Sequence, residues 1–185
     1  MNKERNGKFI QVYTGGRFWP LDPKENEIHI EDIAHALSNQ CRYSGHTEQF
    51  YSVAQHSLLV SWFCDQQYAL EGLMHDASEA YLVDVPRPIK SSFPQYLEIE
   101  KSIMYAIGTK YNFRFPIHNE VTNVDNAMLW LEKEQVMKPG LDWYQDIKVE
   151  PIDAMRDYKI ICMSPEEAKL SFLNRFNSLT EHKYA

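Results

Sequence analysis

The sequence predicts an all-α fold, a helical bundle with an irregular N-terminal extension. Apolar residues recur at helical spacing in five or six segments, proline and glycine punctuate the intervals, and convincing strand patterns are scarce. Residues 1–28 form the extension. Within it Phe9 to Tyr13 reads as a short strand and Thr14-Gly15-Gly16-Arg17 as a turn, while Pro20 and Pro23 oppose a regular helix. Ile30, Ile33 and Leu37 then share one helical face, and the pattern breaks at Tyr43 with Gly45 as the expected stop. Ser52 is placed to cap a second helix carrying Val53, Val60 and Phe63. Leu70, Leu73, Met74, Ala77 and Tyr81 give a third, after which Pro86 and Pro88 predict an extended turn. Tyr96, Ile99, Ile103 and Ile107 mark a fourth helix. Val121, Val124, Met128 and Leu131 mark a fifth, with Pro139-Gly140 as its stop. Leu141 to Met163 reads as loop with a strand at Tyr158 to Cys162. Ser164-Pro165-Glu166-Glu167 opens the last helix with a cap, a first-position proline and a capping-box glutamate, and Phe172, Phe176 and Leu179 face inward.

The length of 185 residues fits one domain, and 44% apolar with 24% charged residues is ordinary for a soluble globular chain. A net charge of −7, from 19 Lys+Arg against 26 Asp+Glu, disfavours a nucleic-acid polymer as partner. Cys41, Cys64 and Cys162 are too few and too dispersed for a disulfide framework or a cysteine-based zinc cluster, and read as reduced thiols. The charged start Met1-Asn2-Lys3-Glu4-Arg5 is unlike a signal peptide, and no stretch approaches the ~20 apolar residues of a membrane span. A cytoplasmic protein without membrane attachment is expected.

The chemistry lies in ionisable groups on apolar faces. His56 falls three residues after Val53 and four before Val60, and Asp125 falls beside Val124 and three before Met128. His75 and Asp76 lie among Leu73, Met74 and Ala77. Burying such groups is costly unless they are paired or bind a metal. One divalent cation satisfies all four, and a two-His, two-carboxylate set suits zinc, cobalt, manganese or iron with positions left for water and substrate. Glu79, four residues after His75 and three after Asp76, shares their face as an acid or base beside the ion. Each residue also has a plain structural reading: a core histidine in a hydrogen bond, or an aspartate capping a helix or pairing with arginine.

Together Tyr51-Ser52-Val53-Ala54-Gln55-His56-Ser57, His75-Asp76-Ala77-Ser78-Glu79 and Asp125 resemble the HD-domain metal-dependent phosphohydrolases. Within that superfamily they are similar to the bacterial 5′-deoxynucleotidases and the phage dATP triphosphohydrolases, over residues 30–135. The resemblance implies an HD-domain helical bundle with His56, His75, Asp76 and Asp125 on one divalent transition metal (zinc, cobalt or manganese). It implies that Asp76 and Glu79 serve catalysis, Arg42 and Lys90 contact phosphate, Asp84 the deoxyribose 3′-hydroxyl and Pro88 the nucleotide. Tyr43 stands where the deoxynucleotidases have a sugar-sensing tryptophan, and Thr122 where the triphosphohydrolases have a lysine. His46, in the loop after Arg42, is a phosphate contact or a structural residue. Arg17 reads as a surface residue and Trp19 as a core or subunit contact.

The implied activity is hydrolysis of the 5′-phosphate ester of a deoxynucleotide, a small-molecule substrate, by metal-activated water attacking the α-phosphorus. The nucleoside departs, and the phosphate product is orthophosphate from a monophosphate or tripolyphosphate from a triphosphate. By analogy the protein is a homo-oligomer, at least a dimer. Two rivals share these residues: a cyclic-nucleotide or alarmone phosphodiesterase, and a catalytically silent nucleotide-sensing module.

Overall fold

Local capping chemistry sets several of the element boundaries. The computed structural model of the protein describes residues 5–140 and 151–181. Strands β1 (Ile10–Gln11) and β2 (Arg17–Phe18) form an antiparallel hairpin pairing Ile10 with Phe18 and Gln11 with Arg17. Gly15 takes φ +87° in the turn between them, a conformation that costs glycine little. Thr14 donates its backbone N–H and its hydroxyl to buried Asp32, at 2.7 and 3.2 Å, and so fastens the hairpin to the first helix.

That helix, α1 (Ile30–Asn39), is followed by α2 (Val53–Phe63), α3 (Ala69–Met74), α4 (Arg87–Lys90), α5 (Pro94–Tyr111), α6 (Asn119–Gln135) and α7 (Pro165–Thr180). The all-α expectation holds at this level, with the hairpin the sole sheet among the described residues. No helix among them is long and apolar enough to cross a membrane. Ser52 accepts a hydrogen bond from the Gln55 N–H and caps α2. Ser164 and Glu167 form the expected capping box of α7.

Helix α2 packs against α1, α3, α6 and α7. Val53, Ala54 and Leu58 join a core with α1, α3, α5 and α7. Leu59 and Val60 join a second core with Val121, Val124, Met128 and Leu131 of α6. The single inward stripe expected on α2 is therefore replaced by burial of every residue from Val53 to Ser61. His56 is fully enclosed because its helix is.

Four boundaries differ from the sequence reading. The third helix does not run on to Tyr81: α3 ends at Met74, and a 3₁₀ turn at Ala77–Ala80 follows. Pro86 and Pro88 do not hold an extended turn. They start the one-turn helix α4, because a proline ring fits a helix's first turn, where the missing N–H has no partner to lose. Helix α6 stops at Gln135, ahead of Pro139-Gly140. No strand forms at Tyr158 to Cys162, where two side-chain amides take the place of a neighbouring strand. Gln135 donates to Tyr158 O and accepts from Ile160 N, and Gln55 donates to Ile161 O and accepts from Met163 N, at 2.7–2.9 Å. Residues 141–150 of the expected loop lie outside the described residues.

Helices α2 and α3 approach closely at Gly72. A Cβ there would lie 3.1 Å from Cys64 Sγ and 3.2 and 3.3 Å from the Cα and N of Ser61. Ser61 cannot yield easily: its hydroxyl donates to Ala69 O and accepts from Arg175 Nε, and its carbonyl accepts from Arg175 Nη2. Overpacking should outweigh the helix propensity gained, so Gly72→Ala is expected to lose up to about 2 kcal/mol of stability. The same change should weaken metal binding, because His75 follows on the displaced helix. Thermal melts and a cobalt titration check both; unchanged values would show that the helices separate freely.

Candidate metal centre

Three helices and the break after α3 bring the ionisable groups together. His56 comes from the middle of α2, His75 from the C-cap of α3, Asp76 from the residue beyond it, and Asp125 from the second turn of α6. In a continuous helix His75 and Asp76 would point about 100° apart. The break turns both to one point, with Asp76 Oδ2 3.1 Å from His75 Nε2. His56 Nε2 lies 3.2 Å from His75 Nε2, 3.1 Å from Asp125 Oδ1 and 3.7 Å from Asp76 Oδ2. His75 Nε2 lies 3.7 Å from Asp125 Oδ1. Donors held about 2.0–2.2 Å from a zinc-like ion sit about 2.9–3.6 Å from their neighbours in octahedral to tetrahedral arrangements. His56 meets this with both His75 and Asp125, the His75–Asp125 separation lies just beyond it at 3.7 Å, and Asp76 lies within reach of both imidazoles.

The outer hydrogen bonds fix which ring atoms face inward. His75 Nδ1 is 2.8 Å from the Gly72 carbonyl, which can only accept, so Nδ1 carries the proton. His56 Nδ1 is 2.6 Å from Glu132 Oε1 and donates to that carboxylate. Neutral rings therefore present two Nε2 lone pairs to each other and to two carboxylates. Such a cluster of acceptors needs positive charge at its centre, from a cation or from protons on the rings.

The proton affinities reflect that need. Burial opposes charge on His75, but Asp76 and Asp125 outweigh it and raise its pKa well above the usual histidine value. Burial and Arg42 oppose charge on His56; Glu132 and Asp125 overcome both, and its pKa is raised. Burial works against Asp125 and Asp76 as anions, yet the two imidazoles hold both below the usual carboxylate range. Protons thus compete with a metal for the ring nitrogens. Metal uptake is expected to release protons, and affinity should fall as pH drops. Calorimetry in buffers of differing ionisation enthalpy measures the release; none would show that the rings do not ligate.

A fully buried carboxylate missed in the sequence lies behind the centre. Glu132 accepts from His56 Nδ1, from the Tyr43 and Tyr51 hydroxyls at 2.5 and 2.9 Å, and from Arg42 Nη2 at 3.2 Å. Burial pushes its pKa up, but Arg42 and His56 prevail and set it at about 2. The signal was there to read: Glu132 is seven residues after Asp125, two turns along and within about 20° of the same helix face.

Arg42 is buried beside the ligands, 3.7 Å from Asp76 Oδ2, and its Nε has no partner. Tyr43 and Ser44 adopt left-handed conformations, φ 55° and 53°, at a cost of about 1–2 kcal/mol per residue. That tight turn carries both Arg42 and Tyr43 to Glu132. Tyr43 is thereby occupied as a hydrogen-bond donor in the support behind His56.

Glu79 is 4% exposed; Oε1 lies 3.5 Å from Lys90 Nζ, and Oε2 has no partner. Burial, reinforced by Asp76 and Asp84, raises its pKa well above the usual glutamate value. Lys90 Nζ also lies 2.6 Å from Glu100. Asp84 is half-buried, and burial raises its pKa. Gln40, also missed, positions this side of the centre by donating to Glu79 O and accepting from Asp84 N. His46 is exposed, and no described side-chain contact joins it to the ligands. Pro88 is exposed on α4, between Arg87 and Lys90. Arg17 is a surface residue over the Phe9 ring, and Trp19 packs between Phe9 and Arg5, so neither enters the centre.

The orphaned Glu79 Oε2 and Arg42 Nε, with the converging acceptors, show that the residues fit a divalent ion and a polar ligand beside it. The imidazoles are buried, while the Asp76 and Asp125 side chains are 21% and 20% exposed, so the centre opens on its carboxylate side.

No protein-family model matches the chain. It is 32% identical over 140 residues to an uncharacterized protein of Rhodobacter capsulatus, covering 68% of this chain and 71% of that one. It is 38% identical over 174 residues to the uncharacterized protein YfdR of Escherichia coli K12, covering 94% of this chain and 96% of YfdR. Identity at that level along almost the whole of both chains means that the protein belongs to the YfdR family.

Proposed function

We propose that the protein is a metal-dependent phosphohydrolase of the HD-domain type that cleaves the 5′-phosphate ester of a deoxynucleotide. The observation that carries the reading is the convergence of two imidazole nitrogens and two carboxylates on one point, with a buried acid and a buried arginine alongside. His56, His75, Asp76 and Asp125 would hold the ion. A zinc, cobalt or manganese ion in that set would supply Lewis acidity and an activated water.

The remaining steps belong to side chains. Arg42 offers its unpartnered Nε to a phosphoryl oxygen, and its charge offsets what builds there in the transition state. Lys90, held between Glu79 and Glu100, adds a second positive charge on the same side. Burial raises the pKa of Glu79 well above the usual glutamate value, which favours the carboxyl that would deliver its proton to the departing 5′-oxygen. Asp84, close enough for Arg42 and Asp76 to shift its proton affinity, serves the sugar hydroxyl.

The test is to load the protein with zinc, cobalt or manganese and incubate it with matched deoxy- and ribonucleoside mono- and triphosphates. Phosphate release restricted to the deoxy series supports the reading. Release of orthophosphate or of tripolyphosphate then tells a monophosphate substrate from a triphosphate. Turnover of cyclic nucleotides alone, or none with any metal, overturns it.

A further inference from the structure

The geometry points to Arg87 as a phosphate-binding residue that waits on a metal ligand until substrate arrives. This assignment rests on the phosphohydrolase reading above. Arg87 Nη2 lies 3.3 Å from Asp125 Oδ2, and Nη1 donates to Asn126 Oδ1 at 2.8 Å. The other oxygen of the same carboxylate, Oδ1, faces His56 Nε2 at 3.1 Å. One carboxylate group therefore separates the guanidinium from the ion's position, which places Arg87 beside anything the ion holds.

The charge around the centre makes such a residue necessary. The chain carries a net charge of −7, and Asp76, Asp84 and Asp125 lie around the approach. A phosphate dianion must overcome that field. Arg42 is buried with only its Nε left for a phosphate, and the charge of Lys90 is shared with two glutamates. The Arg87 side chain is 53% exposed and reaches the centre from outside.

Its present pairing is easily given up. An exposed arginine–carboxylate pair contributes little stability, about 0–1 kcal/mol. Once Asp125 shares its charge with a divalent ion, its hold on Arg87 weakens further. The guanidinium fork is then available for two oxygens of a phosphate. Helix α4 supports the arrangement: with Pro86 as its cap and Pro88 in its first turn, it spans the carboxylate side from Asp125, under Arg87, to Glu79, under Lys90. A merely structural Arg87 would instead act by pinning α4 to α6, and Asn126 would then matter as much.

The experiment titrates zinc- or cobalt-loaded protein with inorganic orthophosphate by calorimetry, and measures kcat and KM on a deoxynucleoside monophosphate. Arg87→Gln is expected to weaken phosphate binding and raise KM by about tenfold or more, the worth of a charge-assisted hydrogen bond. Arg87→Lys should recover part of the loss, and Asn126→Ala should bind phosphate as the wild type does. Metal affinity, followed by chelator competition, should be no weaker in Arg87→Gln. Phosphate affinity within about twofold of wild type in Arg87→Gln, or an equal loss in Asn126→Ala, overturns the role of Arg87 alone. Wild-type protein that neither binds orthophosphate nor hydrolyses any nucleotide overturns the phosphohydrolase reading, and Arg87's role with it.

Discussion

Replacing Glu132 with alanine is expected to cost about 3–5 kcal/mol of folding stability, because the change leaves the buried Arg42 charge without its partner. For a domain of this size that lowers the melting temperature by roughly 10 °C. The Tyr43 and Tyr51 hydroxyls and His56 Nδ1 lose the same acceptor. Glu132→Gln is the finer probe: it keeps the shape and one acceptor but removes the charge that orients and polarises His56. Losing such an outer partner should weaken metal binding by about 10–100-fold. The sign with pH follows from the lowered pKa of about 2. Glu132 contributes its stability above the ordinary glutamate value, and the contribution is lost as pH falls towards about 2. The variants should therefore show a shallower acid limb. A Glu132→Gln protein with wild-type melting temperature and metal affinity would show that the four contacts contribute nothing.

Glu79→Gln is expected to keep its metal and lose about 10²–10⁴-fold in turnover, the usual worth of a general acid. Glutamine fits the site but has no proton to give. Burial beside Asp76 and Asp84 raises the pKa of Glu79, so the carboxyl is the active form. Wild-type kcat should then fall as pH rises through that raised value, and the variant's residual activity should lack this alkaline limb. Stability runs the same way. The charged form is the disfavoured one in the folded state, so the metal-free wild type loses stability as pH climbs, and Glu79→Gln does not. Wild-type turnover by the variant, with metal bound, would remove Glu79 from proton transfer.

Much of the helical framework was legible because its signals are local. Ser52 caps α2, and Ser164 with Glu167 caps α7, through bonds to backbone three residues away. The apolar stripes of α1 and α6 placed Ile33, Leu37, Val121, Val124, Met128 and Leu131 in the core. The same logic of polar groups on apolar faces singled out His56 and Asp125. It stopped short of Glu132 on the same helix, although one more heptad would have reached it.

Residue spacing alone thus places most of the longer helices, the caps of α2 and α7, and several of the ionisable groups that point inward. These follow from hydrogen bonds and periodicities that span a few residues. The tertiary structure alone decided that α3 breaks before His75–Asp76, that Arg42 and His56 meet Glu132 across 90 and 76 residues of chain, and that Arg87 rests on Asp125. Those partnerships depend on how whole helices pack. A pairing between distant segments is set by the global arrangement of cores around α2, and leaves no trace in the spacing of neighbouring residues.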